Sequence, residues 1–473
     1  MLKINTLIIK ERKGEGMLRR YIAPKDFYKK AGSIAIPLAL QTIFTSCMGI
    51  VDSLMVSWIG MVSAVGTAAQ LDTLAGTVAY GAVGGTVIFT AQFFGAKDFK
   101  NLKRTFGLSL VLAILNGLIF LTVSLVFGRS IIRFYINDSN VIFYGFEYLK
   151  IMAFSFLPAS ISFAFSYIYR AINKTKVPLY VGIMAMVTNC VINYVLIFGK
   201  FGFPELGVKG AAVGTVVAQY LAATVHIIYA VKTKQVFMGN LKELFSFDWD
   251  FIYTVMHKIS PLIFNEVLFG FGSTLFIKAF GLIGTTKALD AYYVGNKIND
   301  VFVFIEIGIA NACSVIVGNT LGTGDVKKAK QEGDYFVGIA VILAILSTVL
   351  IFIFSSPLVA MFKLRDLAVI ESANTIVKVF SIKISLRMFI VIVFATLRAG
   401  GDSKMLTLLD SGIMYTIGLP LAFFVVQYMN IQEISVVFLI IQVEQVIRAI
   451  LGIKRYKSGI WAVNLTTTVD NNN

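Results

Sequence analysis

Charge is scarce in this chain of 473 residues. Asp, Glu, Lys and Arg make up 14% of it, against about 25% in soluble globular proteins. Set beside 57% hydrophobic residues, that scarcity excludes a soluble globular protein. Cysteine is almost absent. Cys47, Cys190 and Cys313 each lie inside an apolar run, with no CxxC pair and no Cys/His ligand spacing, which excludes a disulfide framework and a thiolate metal site and makes them packing residues. No DDxxD-like cluster, HExxH or GxxxxGK[ST] occurs, so the oxygen ligands that Mg²⁺ and phosphate chemistry need are not gathered anywhere. That argues against a membrane-embedded prenyl or glycosyl transferase and against ATP-driven transport. The first thirty residues contain no apolar core followed by a small-residue cleavage site, so the first helix is expected to serve as its own insertion signal.

Long apolar runs are what remain. They extend over about 33–58, 66–93, 106–127, 145–169, 177–199 and 207–231, and again over about 257–283, 288–318, 333–355, 371–397, 405–428 and 434–453. Each holds the ~20 residues a helical crossing needs. The fold class expected is an all-α polytopic membrane protein of 12 transmembrane helices, with no room for a sizeable soluble domain.

The net charge of +16 invites a nucleic-acid reading, but the basic residues are distributed by side. With the N-terminus inside, the first, third and later odd-facing segments (1–32, 95–104, 170–176, 232–258, 327–330, 398–404 and from 448 on) hold 29 of them, whereas the opposite loops hold 7: Arg129, Arg133, Lys200, Lys209, Lys287, Lys363 and Arg365. Short loops rich in Lys and Arg stay cytoplasmic. Both termini are therefore expected inside a cell (plasma) membrane, with membrane lipids as partners and no nucleic acid.

The chain also repeats itself. Phe94-Gly95-Ala96-Lys97-Asp98-Phe99-Lys100 returns as Leu321-Gly322-Thr323-Gly324-Asp325-Val326-Lys327, an offset of 227. Tyr169-Arg170-Ala171 with Lys174-Thr175-Lys176 returns as Leu397-Arg398-Ala399 with Asp402-Ser403-Lys404, an offset of 228, and Pro37 matches Pro261 at 224. Three landmarks keeping one offset mark an internal duplication. Six spans per copy means that both halves enter the membrane in the same sense, related by an axis along its normal. The expected organisation is a cytoplasmic segment 1–32, an N-lobe 33–231, a cytoplasmic linker 232–256 with an amphipathic, interface-lying portion, a C-lobe 257–453 and a cytoplasmic tail 454–473.

Val51-Asp52-Ser53 with Trp58-Ile59-Gly60, the Gly95-Ala96-Lys97-Asp98 loop, Asn189 with Asn193-Tyr194-Val195-Leu196-Ile197, Pro204-Glu205-Leu206-Gly207-Val208-Lys209-Gly210-Ala211-Ala212 and the Gly322-Thr323-Gly324-Asp325 loop together resemble the multidrug and toxic-compound extrusion (MATE) family, bacterial NorM/DinF-like. The resemblance covers nearly the whole chain, and its specificity lies in the order and spacing of the motifs. It implies two six-helix lobes that alternate between outward and inward openings. The activity it implies is a secondary antiporter, a monomer without cofactor or enzymatic activity, exporting small organic and often cationic compounds in exchange for H⁺ or Na⁺. A lipid-linked saccharide flippase of the same broad superfamily is the alternative within transport.

A charge at the bilayer centre costs at least ~2.5 kcal/mol on insertion scales, so intramembrane acids draw attention first. The resemblance maps Asp52 onto the carboxylate of the family's N-lobe cation site, a possible Na⁺ ligand. Asn189 and Asn193, four apart on one helix face, and Thr215 are its expected partners; some members carry a second Asp where this chain has Asn193. In the second half, Glu266 is the acid that in the family often faces the C-lobe cavity. Lys383 and Arg387 stand where some members have an Asp, so Glu266 either pairs with one of them or touches substrate. In the eighth span Asp300, three residues from Lys297, is placed to form a local ion pair, with Glu306 farther along. His226 is expected to be a core or interfacial histidine. Asp410 and Glu444, toward helix ends, are weaker candidates.

Overall fold

A computed structural model describes residues 19–135, 138–283, 286–362, 367–431 and 433–467. Among the described residues the chain is helical, without strands. Twelve long helices follow one another: α1 Lys25–Ser57, α2 Ser63–Ala96, α3 Phe99–Tyr135, α4 Ser139–Ala171, α5 Lys176–Ile197, α6 Val208–Lys232, α7 Trp249–Gly281, α8 Thr286–Gly322, α9 Val326–Ala360, α10 Leu367–Ala399, α11 Ser403–Gln427 and α12 Ile434–Ser458. Eleven are long and apolar enough to cross a membrane; α10 is of similar length and carries Glu371, Lys378, Lys383 and Arg387 along it. The outward faces are apolar, as in α9, where Ile342, Ile345, Leu346, Phe352 and Ile353 are all exposed. In lipid that surface is solvated, and the helix satisfies its backbone internally.

By packing, the chain forms two compact units, Met1–Ile36 with Phe271–Leu465, and Pro37–Gly270 with Thr466–Asn473. The cuts fall inside α1, at Pro37, and inside α7. In the Pro37–Gly270 unit, Val56, Leu71, Phe120, Ile132, Leu149 and Phe156 build the core. In the other unit Phe280, Ile376, Phe380, Val425, Val437 and Phe438 do so. There the N-terminal segment lies on α9: Arg20 Nε donates to Asp334 at 2.5 Å, and the Phe27 ring meets those of Tyr335 and Phe336 at 5.1 and 5.2 Å.

The repeated loops share one geometry. After α2, Lys97 takes a left-handed φ of 59°; after α8, Gly324 takes one of 85°. One residue later an Asp caps the next helix: Asp98 accepts from the Asn101 N–H at 3.0 Å and Asp325 from the Lys328 N–H at 2.9 Å. A left-handed residue closes one helix and a carboxylate opens the next. At Lys97 the first copy adopts a conformation glycine accepts freely.

The segment 232–256 is docked. Phe237, Leu244 and Phe251 are buried, while Leu241 and Trp249 face outward. Leu244 comes so close to α3 that a Cβ on Gly107 would overlap its carbonyl oxygen. Asp248 caps α7 through the Phe251 N–H at 2.8 Å, and Arg104 Nη2 donates to it at 2.9 Å while its guanidinium lies 4.4 Å over the Phe251 ring. The Phe251 N–H first, then Arg104, hold the Asp248 carboxyl below its ordinary value of 3.8. This stabilisation is present in full above that ordinary value and is lost as the pH falls through the lower one. Protease cleavage between 236 and 248 is expected to stay slow at neutral and mildly acidic pH, and to accelerate in Asp248→Asn.

The tail beyond α12 folds back. Trp461 is 1% exposed; its Nε1 donates to the Tyr456 carbonyl at 3.0 Å and its ring stacks on Tyr456 at 5.6 Å. A Cβ on Gly400 would strike the Trp461 carbonyl oxygen, and Arg455 grips Asp402 through Nε at 2.7 Å and Nη2 at 3.1 Å.

Candidate functional site

Within the Pro37–Gly270 unit, α1, α5 and α6 bring four of the sequence-derived residues together. The Asn193 amide donates to Asp52 Oδ1 at 2.5 Å and to Asn189 Oδ1 at 3.2 Å. Asn189 donates to Thr215 Oγ1 at 3.2 Å, and Thr215 donates to the Ala211 carbonyl at 3.2 Å. The result is a line of hydrogen bonds across three helices ending on one carboxylate. Asn189 and Asn193 are fully buried and Thr215 nearly so, while Asp52 is only partly covered. The acid thus remains open to an ion while its partners are fixed in the packing.

Small residues on α6 make this approach possible. A Cβ on Gly210 would come within 2.7 Å of the Leu196 carbonyl carbon, and one on Gly214 would fall on Asn193 Oδ1. With Ala218 and Ala222, which pack on Val181 and Ala185, they form a small face every fourth residue, the pattern that lets helix backbones approach closely in membranes. Gly214→Ala is therefore expected to push the Asn193 amide off Asp52 and to cost about 1–3 kcal/mol as overpacking. A lower thermal midpoint in detergent together with reduced transport checks it.

Two further polar side chains, on elements packed around Val56 and Ala211, were not singled out by sequence reasoning. Asp72, on α2, is exposed and follows Leu71, which packs with Val56 of α1. Tyr148, on α4, is buried in the core with Val56 and Ala211, and its hydroxyl donates to Met152 Sδ at 3.6 Å. Asp72 sits on the helical face adjoining Ala68, Leu71 and Ala75, which pack with Val56, Tyr148 and Ala211. Its place in the second apolar run was the available signal.

Glu266 belongs to the same unit. It lies on α7 beside α2, where a Cβ on Gly81 would be 2.7 Å from the Ile263 Cα and 3.4 Å from Glu266 Cγ. His226 is buried between the rings of Phe165 and Tyr169, at 6.1 and 5.7 Å, and among the described residues its Nδ1 has no hydrogen-bond partner.

In the Phe271–Leu465 unit, charge is concentrated on α8, α10, α11 and α12. Arg387 Nε donates to Glu306 at 2.9 Å, and Glu306 is 1% exposed. Lys383 places its ammonium 4.8 Å from the Phe380 ring centre and 5.3 Å from that of Phe438, a cation–π arrangement. Arg448 donates to Asp410 at 2.8 Å and pairs with Glu444 one turn before it. Asp410 lies in a widened stretch of α11, Leu408–Gly412, followed by another, Met414–Gly418, both with π-type turns. Such turns often mark functional positions. The Glu306–Arg387 and Asp410–Arg448 pairings join residues far apart in sequence on different helices, so spacing could not reveal them, whereas Glu444 and Arg448 are four apart on α12. The side chain of Asp300 lies outside the described residues, and with it the expected Lys297–Asp300 pair. Among the described residues no group of three or more His, Cys, Asp or Glu is arranged to hold a metal ion.

Comparison with known proteins places this geometry. The profile of the MatE family matches residues 37–195 and 261–442. The chain is 23% identical to the probable multidrug resistance protein YoeA of Bacillus subtilis over 431 residues, covering 90% of this chain and 93% of that one. It is 26% identical to the probable multidrug resistance protein NorM of Thermotoga maritima over 416 residues, 86% and 87% of the two chains. Among solved structures, that of MATE in the bent conformation superposes with a TM-score of 0.84 at 18% identity, covering 96% of this chain and 98% of that one. With two family segments that together match most of its length, the chain belongs to the MatE family and is a multi-pass membrane transporter, not an enzyme.

Proposed function

We propose that the protein is a secondary antiporter that exports small organic, often cationic, compounds in exchange for H⁺ or Na⁺, with Asp52 as the coupling carboxylate. The observation that carries this reading is the line Thr215–Asn189–Asn193–Asp52, which holds an acid inside a membrane span with neutral donors only. An arginine or lysine in that place would neutralise the acid permanently; amides leave its charge to be balanced by a mobile cation. The relatives described as multidrug resistance proteins support the substrate class. Glu266, Lys383, Arg387 and Asp300 are the residues proposed to line the path on the second half, with aromatic rings such as Phe380 and Phe438 offering apolar wall to lipophilic compounds. Two lobes, 33–231 and 257–453, duplicated in sequence and rocking one against the other, supply alternating access. The protein is proposed to work as a monomer in the plasma membrane with both termini cytoplasmic.

The test is counterflow of a fluorescent organic cation in proteoliposomes under an imposed Na⁺ gradient and then an imposed pH gradient. Efflux driven by one of them is the expected result. Transport that ignores both sinks the proposal.

A further inference from the structure

Two cations stand in the middle of a membrane-length helix with donors to spare. Lys383 is the central residue of α10, and Arg387 follows one turn later, where a charge costs most. Four apart, the two side chains share a helix face. Ser385 marks the opposite side, where its hydroxyl donates to the Ala344 carbonyl of α9 at 3.3 Å. The basic face is turned instead to α8 and α12: Arg387 meets Glu306 of the first and Lys383 meets Phe438 of the second.

Neither cation is used up by these contacts. Among the described residues no carboxylate forms an ion pair with Lys383, whose ammonium rests over the rings of Phe380 and Phe438 at 4.8 and 5.3 Å. The rings attract the charge and leave its three N–H donors without a conventional acceptor. Arg387 engages Nε alone, on Glu306 at 2.9 Å; the N–H groups on Nη1 and Nη2 reach no acceptor among the described residues. Its side chain is 31% exposed, and a charge that open in mid-span faces a watery interior, not lipid.

The neighbouring charges are sorted by side. On α8 and α10, Lys383 and Arg387 have one acid between them, Glu306. On α11 and α12, Asp410 and Glu444 share one base, Arg448. Glu444 is fixed there by a notch in α11, since a Cβ on Gly418 would overlap its Oε2. The first group therefore has one positive charge to spare, and the second one negative.

We propose that Lys383 and Arg387 form an anion subsite that takes the acidic group, a carboxylate or sulfonate, of a transported compound. Residues four apart on a helix have Cβ atoms about 6 Å apart, so one acidic group bridges the ammonium and the free edge of the guanidinium while Nε keeps Glu306. A cationic centre elsewhere on the same compound is drawn to the acids of α11 and α12. The proposal rests on the chain being an exporter of organic compounds, and it narrows that reading: the second half selects for an acid on the substrate.

The experiment uses the full chain and a matched pair of rhodamines, one with a free carboxylate and the other its methyl ester. The two share a cationic ring system and differ in the acid alone. Equilibrium binding is read by fluorescence polarisation in detergent, and counterflow in proteoliposomes under the Na⁺ and pH gradients. Wild type is expected to bind the acid about tenfold more tightly than the ester, as one charge-assisted hydrogen bond would give. Lys383→Gln is expected to abolish that preference by weakening the acid alone, and Lys383→Arg to keep it. Arg387→Lys, which leaves a cation beside Glu306 and removes the fork, is expected to reduce the preference, and it serves alone if Lys383→Gln does not fold. Equal binding of acid and ester by wild type, or an undiminished preference in Lys383→Gln, overturns the proposal. Acid-selective binding with no gradient-driven movement of either dye would support the subsite and remove the exporter reading beneath it.

Discussion

Asp52→Asn is expected to leave a folded, membrane-inserted protein whose cation-driven efflux falls by roughly a hundredfold, the equivalent of about 3 kcal/mol of lost interaction with a charged group. The amide matches the carboxylate in size, and its oxygen can still accept the Asn193 hydrogen bond that now spans 2.5 Å. The line through Asn189 to Thr215 need not rearrange. What disappears is the negative charge, and with it the reason for Na⁺ or a proton to enter. Removing an ionised group from a membrane span also lowers the cost of inserting the helix, so the thermal midpoint should hold or rise while transport collapses. Counterflow under each gradient, beside a midpoint in detergent, separates these effects. Full efflux from the variant would remove Asp52 from the mechanism.

Arg387→Met should give the largest loss of stability. Glu306 is 1% exposed, and Arg387 Nε at 2.9 Å is the partner of its Oε2, while among the described residues Oε1 has none. Replacing the guanidinium by a thioether of similar reach keeps the packing and strands a carboxylate. Breaking a buried pair from one side costs about 3–5 kcal/mol. Arg387 is itself about a third exposed, so the lower end of that range applies. Pairing it with Glu306→Gln should restore most of the loss, because the charge needing a partner is then gone, and the difference between single and double variants measures the coupling directly. Equal midpoints for wild type and Arg387→Met would mean that Glu306 sits in the protein as the neutral acid.

What the sequence revealed followed from how local each feature is. The spans were legible because length and apolarity decide them. The duplicated loops were legible because a left-handed residue followed by a capping Asp is a matter of four consecutive positions, Gly95 to Asp98 and Gly322 to Asp325. Asn189 and Asn193 could be set on one face by spacing alone, and resemblance attached Asp52 and Thr215 to them. Pairings across helices were not legible. Glu306 finds Arg387 eighty-one residues away, although the sequence offered Lys297 and Asp300 as nearer charges. Arg448 on α12 finds Asp410 on α11, an acid set aside as lying near a helix end. Asp72 gave no spacing signal, because its place beside the core around Val56 depends on how α1 and α2 pack. The docking of 232–256 rests on the missing side chain of Gly107, which a composition reading registers only as one glycine among thirty-nine.

The folded-back tail has a practical consequence for anyone building reporters. Trp461 and Leu465 are both buried, and the Trp461 carbonyl rests where Gly400 leaves space. A fluorescent domain spliced directly after Ser458 would replace that packing with a mobile barrel and unseat the turn between α10 and α11. One attached beyond Thr467 leaves the clasp closed. Brightness of such a fusion would then report on the transporter, and not on damage done by the join.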